Sequence, residues 1–436
     1  MLLRVIFENF LSFREPVQFD MFPNPKRTTH PNHVYSQDIP ILKMAAVYGA
    51  NGSGKSNLVK GLDFINDFVS RNDFFKEIDV ANYIHKGNPD SENPNLKVDI
   101  EFESENKYFI YAFELSRERI ISEALYLSGT GKKDNELIFR RNLDEIIVGE
   151  PLDKKVGEAI STLLVKNPTV SLIQLNEQFP IVQGKDIQIA THWLQHSLVV
   201  VPFNAVAFKL IAQLDKDARL LDFTKEVMSK IGLGVKDIDI KEELYENWIK
   251  NKSHQPYSTI ASELESDKIL GVNNDNRQIF IALRENGRTI VKEFNFKHLG
   301  MHDRVFEMDI NGESDGTVRL LNLIPALYEA TESGHTIIID EIDHSIHPIL
   351  IFALIRLFSE KKTKGQLIFT THETCLLNQK LLLRADEVWF TEKIQGATKM
   401  YSLNDFKEHN TISVENGYIN GRYGAIPYIG DIKWLQ

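Results

Sequence analysis

The feature that most constrains the fold of this chain is a glycine-rich segment near its amino terminus, Gly49-Ala-Asn-Gly-Ser-Gly-Lys-Ser56. The segment has the form G-x-x-x-x-G-K-[ST] of a phosphate-binding loop. An apolar stretch of strand length, residues 43–48, precedes it, and apolar residues recur at helical spacing from Leu58 to Val69. A strand, a glycine loop and a helix in this order favour a P-loop over a glycine-rich surface turn.

The residue types of this loop suit the chemistry of a nucleoside triphosphate. Glycines let the backbone wrap a phosphate, and the helix amino terminus adds partial positive charge. We expect Lys55 to reach the β- and γ-phosphates, and Ser56 to place its hydroxyl on Mg²⁺, because this hard cation takes oxygen ligands. The expected nucleotide-binding residues are Gly49, Ala50, Asn51, Gly52, Ser53, Gly54, Lys55, Ser56 and Asn57.

Length and composition limit the kind of protein that carries this loop. The 436 residues allow two or three domains, and 42% hydrophobic residues can fill sizeable cores. No apolar run reaches the roughly 18 residues that cross a bilayer, and the amino terminus lacks a signal-peptide pattern. A single cysteine, Cys375, permits no internal disulfide, so we expect a cytoplasmic location. The formal net charge of −11 provides no overall basic surface for nucleic acid. It does not exclude a local basic groove.

Sequence patterns divide the chain into three predicted parts. Residues 1–149 open with a predicted edge strand and turn at 2–13, and continue with alternating segments that predict an antiparallel sheet. Residues 150–275 show helical spacing and predict a mostly helical insertion that is too short for a long coiled-coil arm. Residues 276–436 return to strands, where Asn286-Gly287 predicts a hairpin.

The third part, residues 276–436, contains the candidate residues for the other half of the nucleotide site. The apolar strand Thr336-Ile-Ile-Ile339 ends in two acids, Asp340 and Glu341. At an ATP site the first acid would hold Mg²⁺ and the second would orient and deprotonate the attacking water. A buried strand that merely ends in solvated acids is the alternative. The segment Gly312-Glu-Ser-Asp-Gly-Thr317 before it, and His372 after a further apolar strand, favour the ATP site.

These motifs together resemble those of ABC-type ATPases. Glu313-Ser-Asp-Gly-Thr317 resembles the signature loop, with Ser314 and Gly316 on its serine and second glycine. Ser345-Ile-His-Pro348 falls at the D-loop and His372 at the switch histidine. This signature loop differs from that of transporters at two positions, where Glu313 and Asp315 replace a leucine and a glycine. The Q-loop has three candidates without a distinguishing context, which are Gln174, Gln178 and Gln183.

The two ends of the chain indicate a branch of this superfamily. Phe7-Glu-Asn-Phe-Leu-Ser-Phe13 is similar to the first strand of the RecF and chromosome-maintenance (SMC) branch. Gly421-Arg-Tyr-Gly-Ala-Ile-Pro427 is similar to the stand-alone AAA ATPases of phage-defence systems, of the AbiL/RloA type. PARIS, Septu and overcoming-lysogenization-defect ATPases are more distant relatives. The resemblance implies an α/β P-loop NTPase of ABC/SMC-like type, with a flanking antiparallel sheet, whose ATPase domain comprises residues 1–149 and 276–436.

The resemblance also implies roles for individual residues and for partners. ATP and Mg²⁺ are the expected cofactors, and no membrane partner is expected. Each ATP would lie between the P-loop of one subunit and the signature loop of another, so a homodimer or higher homo-oligomer is expected. The implied catalytic residues are Glu341 and His372, the metal ligands are Ser56 and Asp340, and the signature contacts across the interface are Ser314, Asp315, Gly316 and Thr317.

Two functions from different classes remain open at this point. The residues after His372 hold no Asp-x-Asp pair, so a TOPRIM-like nuclease would be encoded separately. The first hypothesis is therefore an ATP-hydrolysing sensor and scaffold of an abortive-infection system that controls such an effector. The second is a RecF-like DNA-binding ATPase that acts in repair. A P-loop kinase or GTPase would explain neither the signature loop nor His372.

Overall fold

The structure is a computed structural model that describes residues 1–87, 95–150, 154–178, 184–206, 210–231, 234–251, 264, 269–274, 277–406 and 413–427. The strands are β1 Leu2–Glu8, β2 Val17–Asp20, β3 Val34–Tyr35, β4 Ile41–Leu42, β5 Met44–Gly49, β6 Leu96–Ser104, β7 Lys107–Leu115, β8 Ile120–Leu127, β9 Glu136–Asn142, β10 Glu145–Val148, β11 Leu198–Val201, β12 Val235–Leu244, β13 Ile269–Asn274, β14 Arg277–Glu285, β15 Arg288–Leu299, β16 Val305–Met308, β17 Thr336–Ile339, β18 Gln366–Thr370, β19 Val388–Ile394 and β20 Ala397–Ser402.

The helices are α1 Lys55–Ser70, α2 Phe74–Glu77, α3 Lys154–Lys166, α4 Leu172–Gln178, α5 Lys185–His192, α6 Leu210–Lys216, α7 Ala218–Lys230, α8 Tyr245–Asn251, α9 Asp315–Tyr328, α10 Pro348–Glu360 and α11 Val414–Ile419. Among the helices of the described residues, none is long and apolar enough to cross a membrane.

The chain divides into two compact units. The first comprises Met1–Val201, Ala330–Ile342 and Ser359–Gln436, and the second comprises Pro202–Glu329 and Asp343–Phe358. The first unit contains the P-loop and the acidic strand end, whereas the second contains the signature and D-loop segments. The domain limits predicted from the sequence stay a prediction.

A parallel sheet forms the centre of the first unit. Its strand order is β11-β17-β18-β5-β19-β20, and only β20 runs antiparallel to its neighbour. Strands β5, β17 and β18 are buried along their whole length, as expected for a parallel sheet that is covered on both faces. Strand β18 lies between the P-loop strand β5 and the acidic strand β17, so the carboxyl ends of all three meet at one edge of the sheet.

The second sheet of this unit is antiparallel, with the order β10-β9-β8-β7-β6-β1-β2. Alternate residues of β7 are buried from Phe109 onward, and β7 pairs antiparallel with β6, which confirms the predicted antiparallel sheet beside the nucleotide core. The prediction that β1 is an edge strand is wrong, because β1 pairs with β6 on one side and with β2 on the other. The edge belongs to β2, a short strand that was not recognised in the sequence.

Helix α1 and both sheets share one apolar core. Leu58, Leu62, Ile65 and Val69 are all buried in it, which confirms the predicted face of the helix. Gly61 is also part of this contact, because a Cβ there would lie 2.5 Å from the Phe7 ring of β1. Close packing of α1 on β1 therefore positions the helix that begins at the P-loop.

The second unit is built on a smaller antiparallel sheet. Its strand order is β12-β15-β14-β13, and β16 pairs with the end of β15. The turn between β14 and β15 places Asn286 at φ 49° and Gly287 at φ 76°, a pair of left-handed residues typical of a type I′ hairpin. The predicted hairpin is thus confirmed.

A buried glutamine connects the two sheets of the first unit. Gln366 of β18 is 0% exposed, and its Oε1 accepts hydrogen bonds from the Leu2 amide at 2.6 Å and the Thr336 hydroxyl at 3.0 Å. Its Nε2 donates to the Leu2 and Leu42 carbonyls at 3.0 and 3.1 Å. This side chain thereby fixes the start of β1 to the parallel sheet.

We predict that Gln366→Leu destabilises the first unit by about 2–4 kcal/mol, because buried backbone groups lose their hydrogen-bond partners. Gln18→Leu is the matched control, since Gln18 is exposed on β2. The thermal or urea midpoint of both variants provides the measurement. Equal midpoints for the two variants would contradict the role assigned to Gln366.

Candidate nucleotide-binding site

The P-loop connects β5 to α1 through glycines in left-handed conformations. Gly52 has φ 75° and Gly54 has φ 113°, values that residues with a side chain rarely adopt. Lys55 begins α1 and is only 5% exposed. Its ammonium donates to the carbonyls of Gly49 at 2.9 Å and Ala50 at 3.3 Å, so the positive charge lies against the loop. This arrangement suits an anion at the amino terminus of α1.

Hydroxyl groups from other parts of the fold support the loop from outside. The Thr398 hydroxyl of β20 donates to the Ser53 carbonyl at 2.7 Å, and it lies 2.7 Å from the Ser12 hydroxyl. The Asn57 amide of α1 donates to the same Ser12 oxygen at 2.6 Å. The hydroxyls of Ser53 and Thr391 lie 2.7 Å apart. No sequence motif marks Thr391 or Thr398, and Ser12, although it lies in the amino-terminal segment 7–13, was given no role at the loop.

The same threonines explain two of the loop glycines. A Cβ at Gly54 would lie 2.3 Å from the Thr398 hydroxyl, and a Cβ at Gly49 would lie 2.3 Å from the Thr391 hydroxyl. Both distances are far too short for a real contact. Both glycines are therefore required by the approach of β19 and β20, and Gly54 is also required by its left-handed conformation.

The structure brings the predicted metal ligands together. The Ser56 hydroxyl donates to Asp340 Oδ1 at 3.2 Å, although the two residues are far apart in the chain. The Thr370 hydroxyl, at the end of β18, donates to the same oxygen at 2.6 Å. Asp340 is only 6% exposed, and such a buried carboxylate needs these partners.

This pair of oxygen-bearing side chains fits Mg²⁺. The ion is usually bound by one or two protein ligands together with phosphate oxygens and water, not by a cage of protein groups. Within the ranges that the structure describes, no three His, Cys, Asp or Glu side chains form a metal-binding cluster.

The two predicted catalytic residues follow adjacent strands of the sheet. The Glu341 amide donates to the Thr370 hydroxyl at 2.7 Å, and Glu341 has φ 47°. A left-handed non-glycine residue costs on the order of 1 kcal/mol and persists where the surrounding structure enforces it, often at a functional site. His372 is exposed two residues after β18. Its segment is held by the Tyr48 hydroxyl, which donates to the Glu373 carbonyl at 3.1 Å.

The signature residues lie in the second unit at the amino terminus of α9. Ser314 caps this helix, because its Oγ accepts a hydrogen bond from the Thr317 amide at 3.1 Å. Asp315, in the first turn, has a largely exposed side chain. A Cβ at Gly316 would lie 2.8 Å from the Ser345 carbonyl of the D-loop, so a glycine is required there. The signature loop and the D-loop are thus in direct backbone contact.

Other residues that the sequence analysis singled out have structural roles. His347 Nδ1 lies 3.2 Å from the Ile349 amide, where it can accept a hydrogen bond at the start of α10. Gln174 donates to the Phe68 carbonyl at 2.8 Å, which ties α4 to α1. The side chain of Gln178, and Gln183 as a whole, lie outside the described residues.

The carboxyl-terminal motif folds into a tight turn against β19 and β20. The Tyr423 ring is buried and stacks on Phe390 with a centroid distance of 5.7 Å. The Tyr418 hydroxyl donates to the Ala425 carbonyl at 3.2 Å, and the Tyr401 hydroxyl donates to the Tyr423 carbonyl at 2.8 Å. Burial raises the pKa of Tyr418 and Tyr401, so both phenols remain protonated donors at neutral pH.

The sheet order, the P-loop and the acidic strand end define the chain as a P-loop NTPase with mixed α/β structure and antiparallel sheets. Residues 44–180 and 228–378 match the family described as "AAA domain, putative AbiEii toxin, Type IV TA system". The chain belongs to this family of AAA domains. No curated protein matches its sequence.

Several solved SMC head structures are similar to the chain. The SMC head domain from Thermotoga maritima is 14% identical with a TM-score of 0.41, over 92% of this chain and 98% of that one. An SMC head bound to the C-winged helix domain of ScpA is 14% identical with a TM-score of 0.48, over 95% and 99%. The SMC head from Pyrococcus furiosus with an extended coiled coil, bound to the C-terminal domain of ScpA, is 13% identical with a TM-score of 0.42, over 97% and 98%.

We predict that Thr398→Val weakens ATP binding about tenfold, because the isosteric side chain cannot donate to the Ser53 carbonyl. Thr398→Ser keeps the hydroxyl and is expected to bind ATP nearly as well as the parent. Titration with a fluorescent ATP analogue provides both dissociation constants. Unchanged binding by the valine variant would show that the outer support of the loop is dispensable.

Proposed function

We propose that this chain binds and hydrolyses ATP, with the P-loop of one copy facing the signature loop of another. The observation that carries the proposal is the hydrogen bond from the Ser56 hydroxyl to the Asp340 carboxylate, next in the chain to Lys55, whose buried ammonium lies against the loop carbonyls. A cationic loop next to two hard oxygen ligands suits a triphosphate that carries a divalent cation. A surface turn or a structural acid would not need all three groups at one edge of the sheet.

Each first-unit group has one task in this proposal. Lys55 binds the β- and γ-phosphates together with the amides of residues 49–57. Ser56 and Asp340 would hold Mg²⁺, whose charge would offset that of the phosphate oxygens. Glu341 accepts a proton from the attacking water, and His372 contacts the γ-phosphate and positions that water. The Thr370 hydroxyl donates to the Asp340 carboxylate and accepts from the Glu341 amide. It thereby fixes the positions of the two acidic residues relative to each other.

The signature groups act on the ATP of the other copy. While the Thr317 amide donates to the Ser314 Oγ, Ser314 and the backbone amides of Asp315 and Gly316, at the start of α9, contact the γ-phosphate across the interface. These are charge-assisted hydrogen bonds that exist only while that phosphate is present. Two copies, or a larger assembly of such pairs, therefore associate with ATP and loosen after hydrolysis.

We predict that Glu341→Gln abolishes hydrolysis but preserves ATP binding and accumulates an associated state, because the amide cannot accept the proton of the water. Lys55→Ala is expected to lose ATP binding. Lys60→Ala is its matched control, since Lys60 is exposed on the same helix. Phosphate release and the mass in solution, with and without ATP and Mg²⁺, provide the measurements. Parental hydrolysis by the Glu341→Gln protein would show that the assigned base is wrong.

The cellular role that we propose is that of a sensor and scaffold in an abortive-infection system against phage, of the AbiL/RloA type. Two observations support it. The family description names a toxin and a type IV TA system. The motif at residues 421–427 resembles the carboxyl end of phage-defence ATPases. In this proposal the chain acts in the cytoplasm, where it holds a separately encoded effector, a TOPRIM-like nuclease, and controls it through the ATP cycle.

The effector part of the proposal predicts a growth phenotype. Expression of the neighbouring open reading frame alone should arrest growth, and co-expression with this chain should restore it. The Lys55→Ala chain should fail to restore growth, whereas the Lys60→Ala chain should succeed. Arrest by this chain alone, with a harmless neighbour, would instead make the chain itself the toxin.

A further inference from the structure

Two residues of the signature loop depart from the transporter pattern, and each has a partner in the sheet of the second unit. Glu313 is buried, and its Oε1 lies 2.5 Å from His298 Nε2 of β15. Asp315 Oδ1 accepts a hydrogen bond from Arg277 Nη2 of β14 at 2.6 Å. The departures are therefore matched by specific groups of the same chain, and they flank Ser314 on both sides.

Arg277 holds the backbone of the loop as well as a side chain. Its Nη1 donates to the Ile310 carbonyl at 2.7 Å and to the Glu313 carbonyl at 3.0 Å. One guanidinium thus contacts the chain before Ser314 through two carbonyls and after it through the Asp315 carboxylate. Because the guanidinium is planar and its donors have fixed directions, it sets the spacing of these acceptors. A lysine would present a single ammonium with no such geometry.

The two anchors are themselves held in place. Arg277 and His298 lie on β14 and β15, which are paired strands of one sheet. The His298 ring stacks on Phe306 of β16, with a centroid distance of 5.4 Å and an interplanar angle of 21°. The loop also contacts the D-loop, because Gly316 lies directly against the Ser345 carbonyl. The position of Ser314 consequently depends on the sheet on one side and on the D-loop on the other.

We propose that Arg277 and His298 are positioning residues that hold the signature loop in the conformation in which Ser314 and the first amides of α9 can contact ATP on another copy. This proposal rests on the function proposed above, and it adds how the contact between the signature loop and ATP is regulated. The sheet of β12–β16 becomes the element through which the signature contact is controlled. A partner that displaces β14 or β15 would withdraw the loop and release the associated state without touching ATP.

The first test measures association of the Glu341→Gln protein with ATP and Mg²⁺. Adding Arg277→Ala should weaken ATP-dependent association about tenfold or more, since charge-assisted bonds are lost, while ATP binding to the single chain stays at its parental value. Arg277→Lys should recover only part of the effect. Arg284→Ala, an exposed arginine on the same strand, is the matched control and should associate like its parent.

A double substitution separates positioning from general stability. If Arg277 positions Ser314 and the first amides of α9, the combined Arg277→Ala and Ser314→Ala protein should lose less association than the sum of the two single losses. A merely structural role would make the two effects additive. Additive effects, or parental association by Arg277→Ala, would overturn the proposal.

A local measurement decides the inference even if the copies do not associate. Amide hydrogen exchange in the segment 309–320 should be faster in Arg277→Ala and His298→Leu than in Arg284→Ala. Exchange at the control level would overturn the positioning role whatever the association data show. Faster exchange together with a parent that never associates would keep the positioning role and refute the proposed ATP-dependent pairing.

Discussion

The structure of the site depends on one buried carboxylate at the end of β17. Asp340 is removed from water and would be costly without partners, and it accepts hydrogen bonds from Ser56 of α1 and Thr370 of β18. Those two bonds fix the ends of three neighbouring elements to one another. The Thr370 hydroxyl also accepts a hydrogen bond from the Glu341 amide, so the same group fixes the position at which the chain turns after Asp340. The geometry of the acidic edge thus follows from satisfying one ionisable group.

The P-loop shows the same dependence on support from distant residues. Its glycines permit left-handed conformations, but its position is also set by hydroxyls of Ser12, Thr391 and Thr398. Close approach of Thr391 and Thr398 excludes any side chain at Gly49 and Gly54. P-loop glycines are usually explained by the phosphate that they bind. Here Gly49 and Gly54 are also required because the β19–β20 hairpin packs directly against them.

The signature loop is likewise held by its own unit. Gly316 lies against the D-loop carbonyl of Ser345, and Arg277 binds the loop on both sides of Ser314. Of the two departures from the motif, Asp315 supplies the carboxylate that Arg277 binds, and Glu313 supplies the carboxylate that lies beside His298. The chain thereby replaces an apolar signature residue with a buried polar pair, and buried polar pairs specify one arrangement when their hydrogen bonds are satisfied.

The amino-acid sequence by itself determined the features that depend on neighbours in the chain. The order of strand, P-loop and helix, the buried face of α1, and the hairpin at Asn286-Gly287 all follow from local spacing and turn chemistry. The convergence of Ser56 with Asp340 was expected because the P-loop and the acidic strand end each assign a ligand to the same Mg²⁺, although no local spacing connects the two residues. Tertiary structure alone decided that β1 lies inside its sheet, that Thr370 and Thr398 support the site, and that Arg277 binds the signature loop. The physical reason is that these contacts join residues tens to hundreds of positions apart, where no periodicity or local propensity connects the partners.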